Sequence, residues 1–344
     1  MNDVAEAAAV SIATVSAFLN GTSKVSPKLT QRIEAAISDT GYKRNAIARS
    51  LKMGTTHTIG LCVPHITNPF FTQVVSVIQQ AFDRAGYAVM LFCTDEHLPD
   101  QQDQQIRLLL DRMVDGLIVA RVGDDAGLKR LSQGTHVPIV MIDRVCEGVD
   151  ADAVLIDNRQ AVREAIAYLI GLGHRRIGYI SASVDVSTIH ERAEGYREAL
   201  VAAGLSFDAN LIRLGSFHEA DGYRAAMQLL MQPERPTAVF SANNPMMVGA
   251  MKALRDLGLG CPGDVSIACF DDFPWSEVFQ PQMTTVAQPV ETIGEQAVRL
   301  LLERLQGLAP DERRRVVLQG RLMVRTSCAP PSTWQSAAPR PALV

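Results

Sequence analysis

The chain has 344 residues, 47% of them hydrophobic, which is enough for two or three domains and a sizeable core. Its formal net charge of −4 argues against a nucleic-acid partner for the chain as a whole, and its six scattered cysteines, without a C-x-x-C pair or a nearby histidine cluster, argue against a cysteine-based metal site or a disulfide framework. With no signal peptide and no apolar run long enough to cross a bilayer, a cytoplasmic protein with reduced, mostly buried thiols is expected.

The charge is unevenly spread. From Met1 to His57, Lys24, Lys28, Arg32, Lys43, Arg44, Arg49 and Lys52 outnumber Asp3, Glu6, Glu34 and Asp39, while the remainder is acidic. A basic end on an acidic body suits a protein that touches phosphates with that end only. Within it, Val4, Ala5 and Ala8 recur at helical spacing, Ala9-Val10 breaks the pattern, and Val15, Phe18 and Leu19 resume it with a shifted phase. The spacing predicts two short helices joined by a tight turn. Asn2 stands as a cap for the first and Ser11 for the second, which Asn20-Gly21 stops. A third helix from Pro27 to Asp39 supplies the apolar face of Leu29, Ile33, Ala36 and Ile37. Such a unit is either a helix-turn-helix that puts its second helix into a DNA major groove or a small bundle without a ligand.

Beyond Gly54-Thr55-Thr56 the pattern changes. The runs TIGLCV, AVMLFC, GLIVA, PIVMI, AVLI, RIGYI, TAVFSA and VSIACF alternate with helical segments. That alternation predicts parallel βαβ units in two doubly wound sheets, with a ligand crevice at the carboxyl ends of the strands. No phosphate-binding glycine loop follows any of these runs, and no cofactor is expected.

DVAEAAAVSIATVSAFLNG, followed by VSPKLTQRIEAAISDTGYKRNAIARSL, closely resembles the headpiece of the LacI/GalR family of bacterial transcription regulators. The later N-P-F-F (Asn68 to Phe71), L-x-x-L-G-H-R (Leu169 to Arg175), F-D-D (Phe270 to Asp272) and T-T-V-x-Q-P (Thr284 to Pro289) extend the likeness to nearly the whole chain. The resemblance implies an N-terminal all-α helix-turn-helix headpiece plus an α/β periplasmic-binding-protein-like core of two doubly wound parallel-sheet lobes. Residues 1–43 would be the headpiece, 44–57 a hinge helix and linker, and 58–328 an effector-binding and dimerisation core. The chain would cross between lobes near Asp157, Gln288 and Gln319.

The resemblance also assigns roles on DNA. Ile12, Ala13 and Ala17 occupy the positions that read base edges, where apolar side chains predict contact with thymine methyls. Thr14, Ser16 and Asn20 are placed for the backbone, although local helix hydrogen bonding is the other use for Thr14 and Ser16, and the capping Ser11 counts with them among the DNA-binding residues. Ala9 replaces the common turn glycine. In the hinge, Asn45 can cap a short helix, and Ala48, Arg49 and Leu51 match the minor-groove segment, with Leu51 as the wedging leucine. Arg44 stands where the family usually has proline.

A sugar presents a ring of hydroxyls and one apolar face, so its pocket needs forked polar side chains and aromatic platforms. Asn68, Phe70, Phe71, Asp143, Arg192, Phe217, Asn243, Asp271 and Gln288 fall at strand ends or a crossing and fit that need. From Asp143 onward they match the effector-binding residues of sugar-responsive family members. For Arg192, Asn243 and Asp271 the other reading is helix capping or a salt bridge, and for Phe70 and Phe71 it is core. Asn244 departs from the acidic residue usual in N-D, and Trp275 is either a pocket wall or packing. Met246, Met247 and Met251, at helical spacing, read as core or subunit interface.

From Ala329 onward the chain is rich in proline, alanine and serine without heptads, so a disordered tail and a homodimer are expected. The implied function is allosteric. Double-stranded operator DNA and a sugar or sugar-acid effector are the partners, repression is the expected sign, and neither a membrane nor a cofactor is involved. A purine-type co-repressor, a transport solute-binding protein and an enzyme are the competing readings, and no nucleophile-base pair or metal cluster supports the last.

Overall fold

Ser11 Oγ accepts a hydrogen bond from Thr14 N at 3.1 Å, and helix α2 (Ile12–Asn20) starts directly behind it, as an N-cap requires. The computed structural model describes residues 1–20, 25–42, 54–94, 98–123, 125–183 and 186–332. The chain forms two compact units, residues 1–56 and 57–344.

In the first unit, α1 (Asn2–Ala7) precedes α2, and α3 (Pro27–Thr40) packs against both. Asn2 is the first helical residue rather than the cap: the turn begins at Met1, whose carbonyl accepts from Ala5 N at 3.0 Å. Pro27 takes the first helical position of α3, where its missing N–H costs nothing, and Gly41 closes the helix at φ +59°. Val4, Ala5, Ala8, Val15, Ile33 and Ala36 form the core. The α1–α2 turn bends through Ala9 at φ +47°, a left-handed conformation that costs a residue with a Cβ about 1–2 kcal/mol. Arg32 on α3 holds this turn by donating Nη2 to the carbonyl of Ala8 at 2.5 Å.

The second unit contains two six-stranded sheets. The first comprises β1 (Thr58–Pro64), β2 (Ala88–Thr94), β3 (Gly116–Val119), β4 (Ile139–Ile142), β5 (Asp152–Ile156) and β11 (Arg315–Leu318), in the order β11-β5-β4-β3-β1-β2. The second comprises β6 (Ile177–Ala182), β7 (Ile212–Gly215), β8 (Ala238–Ser241), β9 (Ser266–Phe270), β10 (Thr284–Ala287) and β12 (Arg321–Met323), in the order β12-β10-β9-β8-β6-β7. All pairs are parallel except β10 with β12. Central strands β3, β4, β8 and β9 are buried at every residue, because helices cover both faces.

In the first lobe these helices are α4 (Pro69–Arg84), α5 (Pro99–Asp111), α6 (Asp125–Gln133) and α11 (Val290–Leu305); in the second they are α7 (Asn158–Gly171), α8 (Ser187–Ala202), α9 (Glu219–Leu230) and α10 (Asn244–Asp256). The chain passes between the sheets at Asp157, at Gln288-Pro289 and at Gln319-Gly320, the three crossings expected.

Two readings need correction. Four strands, β7, β10, β11 and β12, have only three or four residues and no long apolar run, so sequence periodicity shows eight strands where twelve exist among the described residues. The segment from Ala329 to Ser332 is ordered rather than part of a loose tail. His174 Nε2 and Ser266 Oγ both bond the Ala329 carbonyl, at 3.0 and 3.1 Å, and Ser332 Oγ donates to the Gly263 carbonyl at 3.2 Å. Residues 333–344 lie outside the described residues. Met246 and Met247 are core, and of the cysteines Cys62, Cys146, Cys269 and Cys328 are buried, Cys93 is exposed and all are unbridged.

Candidate functional site

All nine expected effector residues line one cavity of about 350 Å³, between the lobes and at the carboxyl ends of the strands. Each side chain arrives there by a short route from a buried strand. Behind β1, Asn68 caps α4 by accepting Phe70 N on Oδ1 at 3.0 Å. Phe70 and Phe71, packed edge to face with centroids 4.9 Å apart, are core residues whose edges reach the cavity. Asp143 and Asp271, directly behind β4 and β9, both take left-handed backbone, φ +66° and +72°. Aspartate tolerates this conformation better than most residues, and it turns each carboxylate off the strand axis.

The second-lobe groups are tightly held. Arg192 lies well inside α8, which starts at Ser187. Its Nε donates to Asn158 Oδ1 at 2.8 Å, its Nη1 to the Ala242 carbonyl at 2.7 Å, and its guanidinium sits 3.6 Å from the centre of the Phe270 ring. Asn243 is a cap as much as a binding group. Its Oδ1 accepts from Met246 N at 2.9 Å and its Nδ2 donates to the Phe217 carbonyl at 3.2 Å, so it fixes the backbone beside the expected aromatic platform. Gln288 Nε2 donates to Asp271 Oδ1 at 2.6 Å.

Adjacent carboxylates are driven apart in acidity. Burial pushes Asp271 up to about 6, against the opposing pull of the Arg192 charge and the Gln288 hydrogen bond. Burial works against the Asp272 carboxylate too, yet hydrogen bonds from Arg325, Ser276 and Thr285 hold it below its ordinary range. The Arg325 fork meets both Asp272 oxygens, at 3.0 and 2.8 Å.

Sequence reasoning missed several lining residues. Arg144 follows Asp143, bonds it through Nε at 3.0 Å and lies 5.9 Å from the Phe217 ring centre; the strand-end rule that selected Asp143 would have reached it. His65 and His218, one from each lobe, meet edge to face with centroids 5.1 Å apart, a pairing no local pattern reveals. Trp275 and Phe273 complete the wall, and among the described residues no group of three or more potential metal ligands occurs.

In the first unit, Ser11, Ile12 and Ala13 are exposed, and Ile12 leaves 47% of its surface open, which is unusual for an isoleucine without a partner. Thr14, Ser16 and Ala17 are half-buried beside them. Thr14 Oγ1 shares a 2.8 Å hydrogen bond with Ser11 Oγ, so local helix bonding does occupy that hydroxyl. Asn20 closes α2. Asn45, Ala48, Arg49 and Leu51, together with Arg44, lie outside the described residues.

A three-helix unit with an exposed, capped second helix, followed by a two-lobed parallel α/β core around a cavity lined by charged and aromatic side chains, defines a ligand-responsive DNA-binding regulator. Residues 1–45 match the family of bacterial regulatory proteins, lacI family, and residues 166–328 match the periplasmic binding protein-like domain. The chain belongs to the lacI family of bacterial transcriptional regulators. It is 35% identical to the HTH-type transcriptional repressor PurR of Vibrio atlanticus (strain LGP32) over 89% of this chain and 92% of that one. It is likewise 35% identical to the ribose operon repressor of Escherichia coli (strain K12), with the same coverage of 89% and 92%. Among solved structures, a lac repressor dimer bound to operator and the anti-inducer ONPF superposes with a TM-score of 0.84 at 27% identity, covering 95% of this chain and 98% of that one. A LacI family regulator from Enterococcus faecium with bound ribose superposes with a TM-score of 0.71 at 28% identity, covering 80% and 100%. These relatives are regulators rather than enzymes, and no described helix is long and apolar enough to cross a membrane.

Proposed function

We propose that the chain is a homodimeric repressor whose hold on a near-palindromic operator changes when a small sugar of about pentose size fills the interlobe cavity. One observation carries this reading: forked polar groups of both signs, Asp143, Arg144, Arg192 and Asp271, meet the aromatic ring of Phe217 in a single cavity. A hydroxyl both donates and accepts, so a ring of hydroxyls suits such a mixed lining, whereas a purine base needs two broad flat faces. The ribose operon repressor and the ribose-bound regulator among the relatives support it.

Because the cavity is lined from both lobes and the chain crosses between them three times, a ligand that binds one lobe arrangement better than another shifts the balance between the two. In the headpiece, Ile12, Ala13 and Ala17 would read thymine methyls, while Ser11, Thr14, Ser16 and Asn20 meet the backbone; Asn45, Ala48, Arg49 and Leu51 would serve the minor groove.

The test is fluorescence anisotropy of the full chain on duplex fragments flanking its own gene, with and without D-ribose and other aldoses. Tight, salt-dependent binding to one fragment that an aldose relieves is expected; binding that no aldose alters would sink the sugar reading. The PurR relative makes a purine co-repressor the second reading. It predicts that a purine base strengthens the same complex.

A further inference from the structure

His65 and His218 touch across the gap between the lobes, with ring centroids 5.1 Å apart and planes crossing at 80°. Strand order fixes where that contact lies. The three crossings leave or enter through β5 and β11 of the first sheet and β10 and β12 of the second, at one edge of each. His65 follows β1, next to the opposite edge of its sheet, and His218 lies behind β7, which is the opposite edge of the other. The pair therefore closes the side of the cavity remote from the crossings. Both rings line the cavity and are half-buried, while Ile66, Thr67 and Ala220 beside them are exposed, so the cavity lies on one side of the pair and solvent on the other.

The backbone that presents each imidazole is fastened. His65 takes left-handed backbone at φ +36°, unfavourable for a residue with a Cβ, and its carbonyl accepts from Asn68 N at 2.9 Å. In the second lobe, Ser216 N donates to Asp221 Oδ2 at 2.8 Å, Asn243 Nδ2 to the Phe217 carbonyl at 3.2 Å, and Gly222 N to the His218 carbonyl at 3.1 Å. Side chains carried on such backbone make a wall. The space they enclose, about 350 Å³, is at the small end for a ligand site.

Resting on the sugar reading above and sharpening it, we infer that the His65–His218 contact limits the effector to a single sugar ring by walling off the outer end of the cavity. Arg192 and Asp271, bonded to Asn158 and Gln288 at the crossings, grip the first ring from the other end. A second ring joined to it must displace an imidazole or force the lobes apart, and such a built-in clash discriminates without any added attraction.

Isothermal titration calorimetry of the full-length protein against a panel of aldoses, and against the α- and β-linked disaccharides of whichever aldose binds, tests this. Wild type should bind every disaccharide at least tenfold more weakly than the aldose. The double variant His65→Ala/His218→Ala should gain at least tenfold for one disaccharide while still binding the aldose, which shows that its core folds. His218→Ala alone, which leaves the first lobe untouched, should gain less in the same direction, and His218→Phe, which keeps the bulk of the ring, should gain nothing. If neither alanine variant gains for any disaccharide, if the phenylalanine variant gains as much as alanine, or if wild type binds a disaccharide as tightly as the aldose, the wall is refuted while the sugar reading stands. If wild type binds no sugar in the panel, the sugar reading itself fails and this inference goes with it.

Discussion

Gln288 donates its amide N–H to Asp271 at 2.6 Å from the residue where the chain leaves the second lobe for the first. Arg192 is tied in the same manner, through Nε, to Asn158 at the foot of the first crossing. The two charged groups best placed to meet a ligand are therefore bonded to two of the three interlobe connections. A ligand that redirects either hydrogen bond acts on the connections without a relay through the core, which is the differential contact that allostery requires.

Asp271→Asn should separate stability from response. The Asp271 carboxyl is raised from 3.8 to about 6, so the folded state holds its proton more tightly than the unfolded chain does. Stability is thus fully retained below pH 3.8, declines as pH rises toward about 6, and is lower by about 3 kcal/mol above it. Urea unfolding of the unliganded protein at pH 7.5 should show the amide variant more stable by up to that amount, with the gap closing toward pH 4. The same variant should bind effector poorly, because an amide replaces one acceptor oxygen with a donor. A gap that did not change with pH would count against the assigned shift.

Arg192→Lys should fail almost as completely as Arg192→Ala. Lysine keeps the charge but cannot meet Asn158 and the Ala242 carbonyl with a planar fork while stacking on Phe270. Calorimetry should find effector binding lost in both. The alanine variant, which leaves two buried acceptors unpaired, should also lose about 3 kcal/mol in urea unfolding. Near-normal effector affinity in the lysine variant would show that the fork is dispensable.

How far the sequence exposes this architecture depends on the length of each signal. Buried central strands such as GLIV and SIACF stand out as unbroken apolar runs, whereas RLM at β12 is too short to be distinguished from a loop. Asn68, Asp143, Asn243 and Asp271 were within reach because a doubly wound sheet sends its strand ends to one place, whereas Arg192, well inside α8, came with the family resemblance. What each side chain does there was not readable. Asn243 divides its amide between a helix N-terminus and the Phe217 carbonyl, and His65 meets His218 across 153 positions of sequence, relationships that exist only after the lobes have formed. Ala329 to Ser332 misled because composition reports the tendency of a segment alone, not the polar groups of His174 and Ser266 waiting beneath it.

Ala9→Gly should stabilise the N-terminal unit. At φ +47° alanine bears about 1–2 kcal/mol of strain that glycine lacks, and glycine returns about 0.4–1 kcal/mol through its freer unfolded chain. A net gain of about 0.5–1 kcal/mol is expected in thermal unfolding of this unit, without change at the cavity. A loss would mean that the Arg32 bond to Ala8 already absorbs the strain.

Leu51→Ala tests the role that family resemblance gives the hinge. Removing the wedge should weaken operator binding at least tenfold, about 1.4 kcal/mol, and leave calorimetric effector affinity as it was. Unchanged footprint affinity would assign Leu51 to the linker alone.

Asp152→Asn should destabilise the core without touching the site. Its carboxylate is fully buried where β5 begins, receives both Nε and Nη2 of Arg304 at 3.0 and 2.9 Å, and takes Arg314 N and Nη2 at 2.8 and 3.1 Å. Arg314 leads into β11, so this one acid fastens the last strand of the first lobe, which the chain reaches only after visiting the second. Burial opposes the charge, but the hydrogen bonds from Arg304 and Arg314 hold the carboxyl below its ordinary 3.8. The stabilisation is therefore present above pH 3.8 and lost as pH falls through the lower folded value. Replacing one oxygen by an N–H donor turns two of these bonds into clashes and leaves the arginines uncompensated, at a cost of about 3–5 kcal/mol. Urea unfolding at pH 7 should show that loss and acid unfolding should begin at a higher pH than in wild type, while effector affinity of the folded fraction stays the same; a loss under about 1 kcal/mol would reduce the cluster to the level of a surface ion pair.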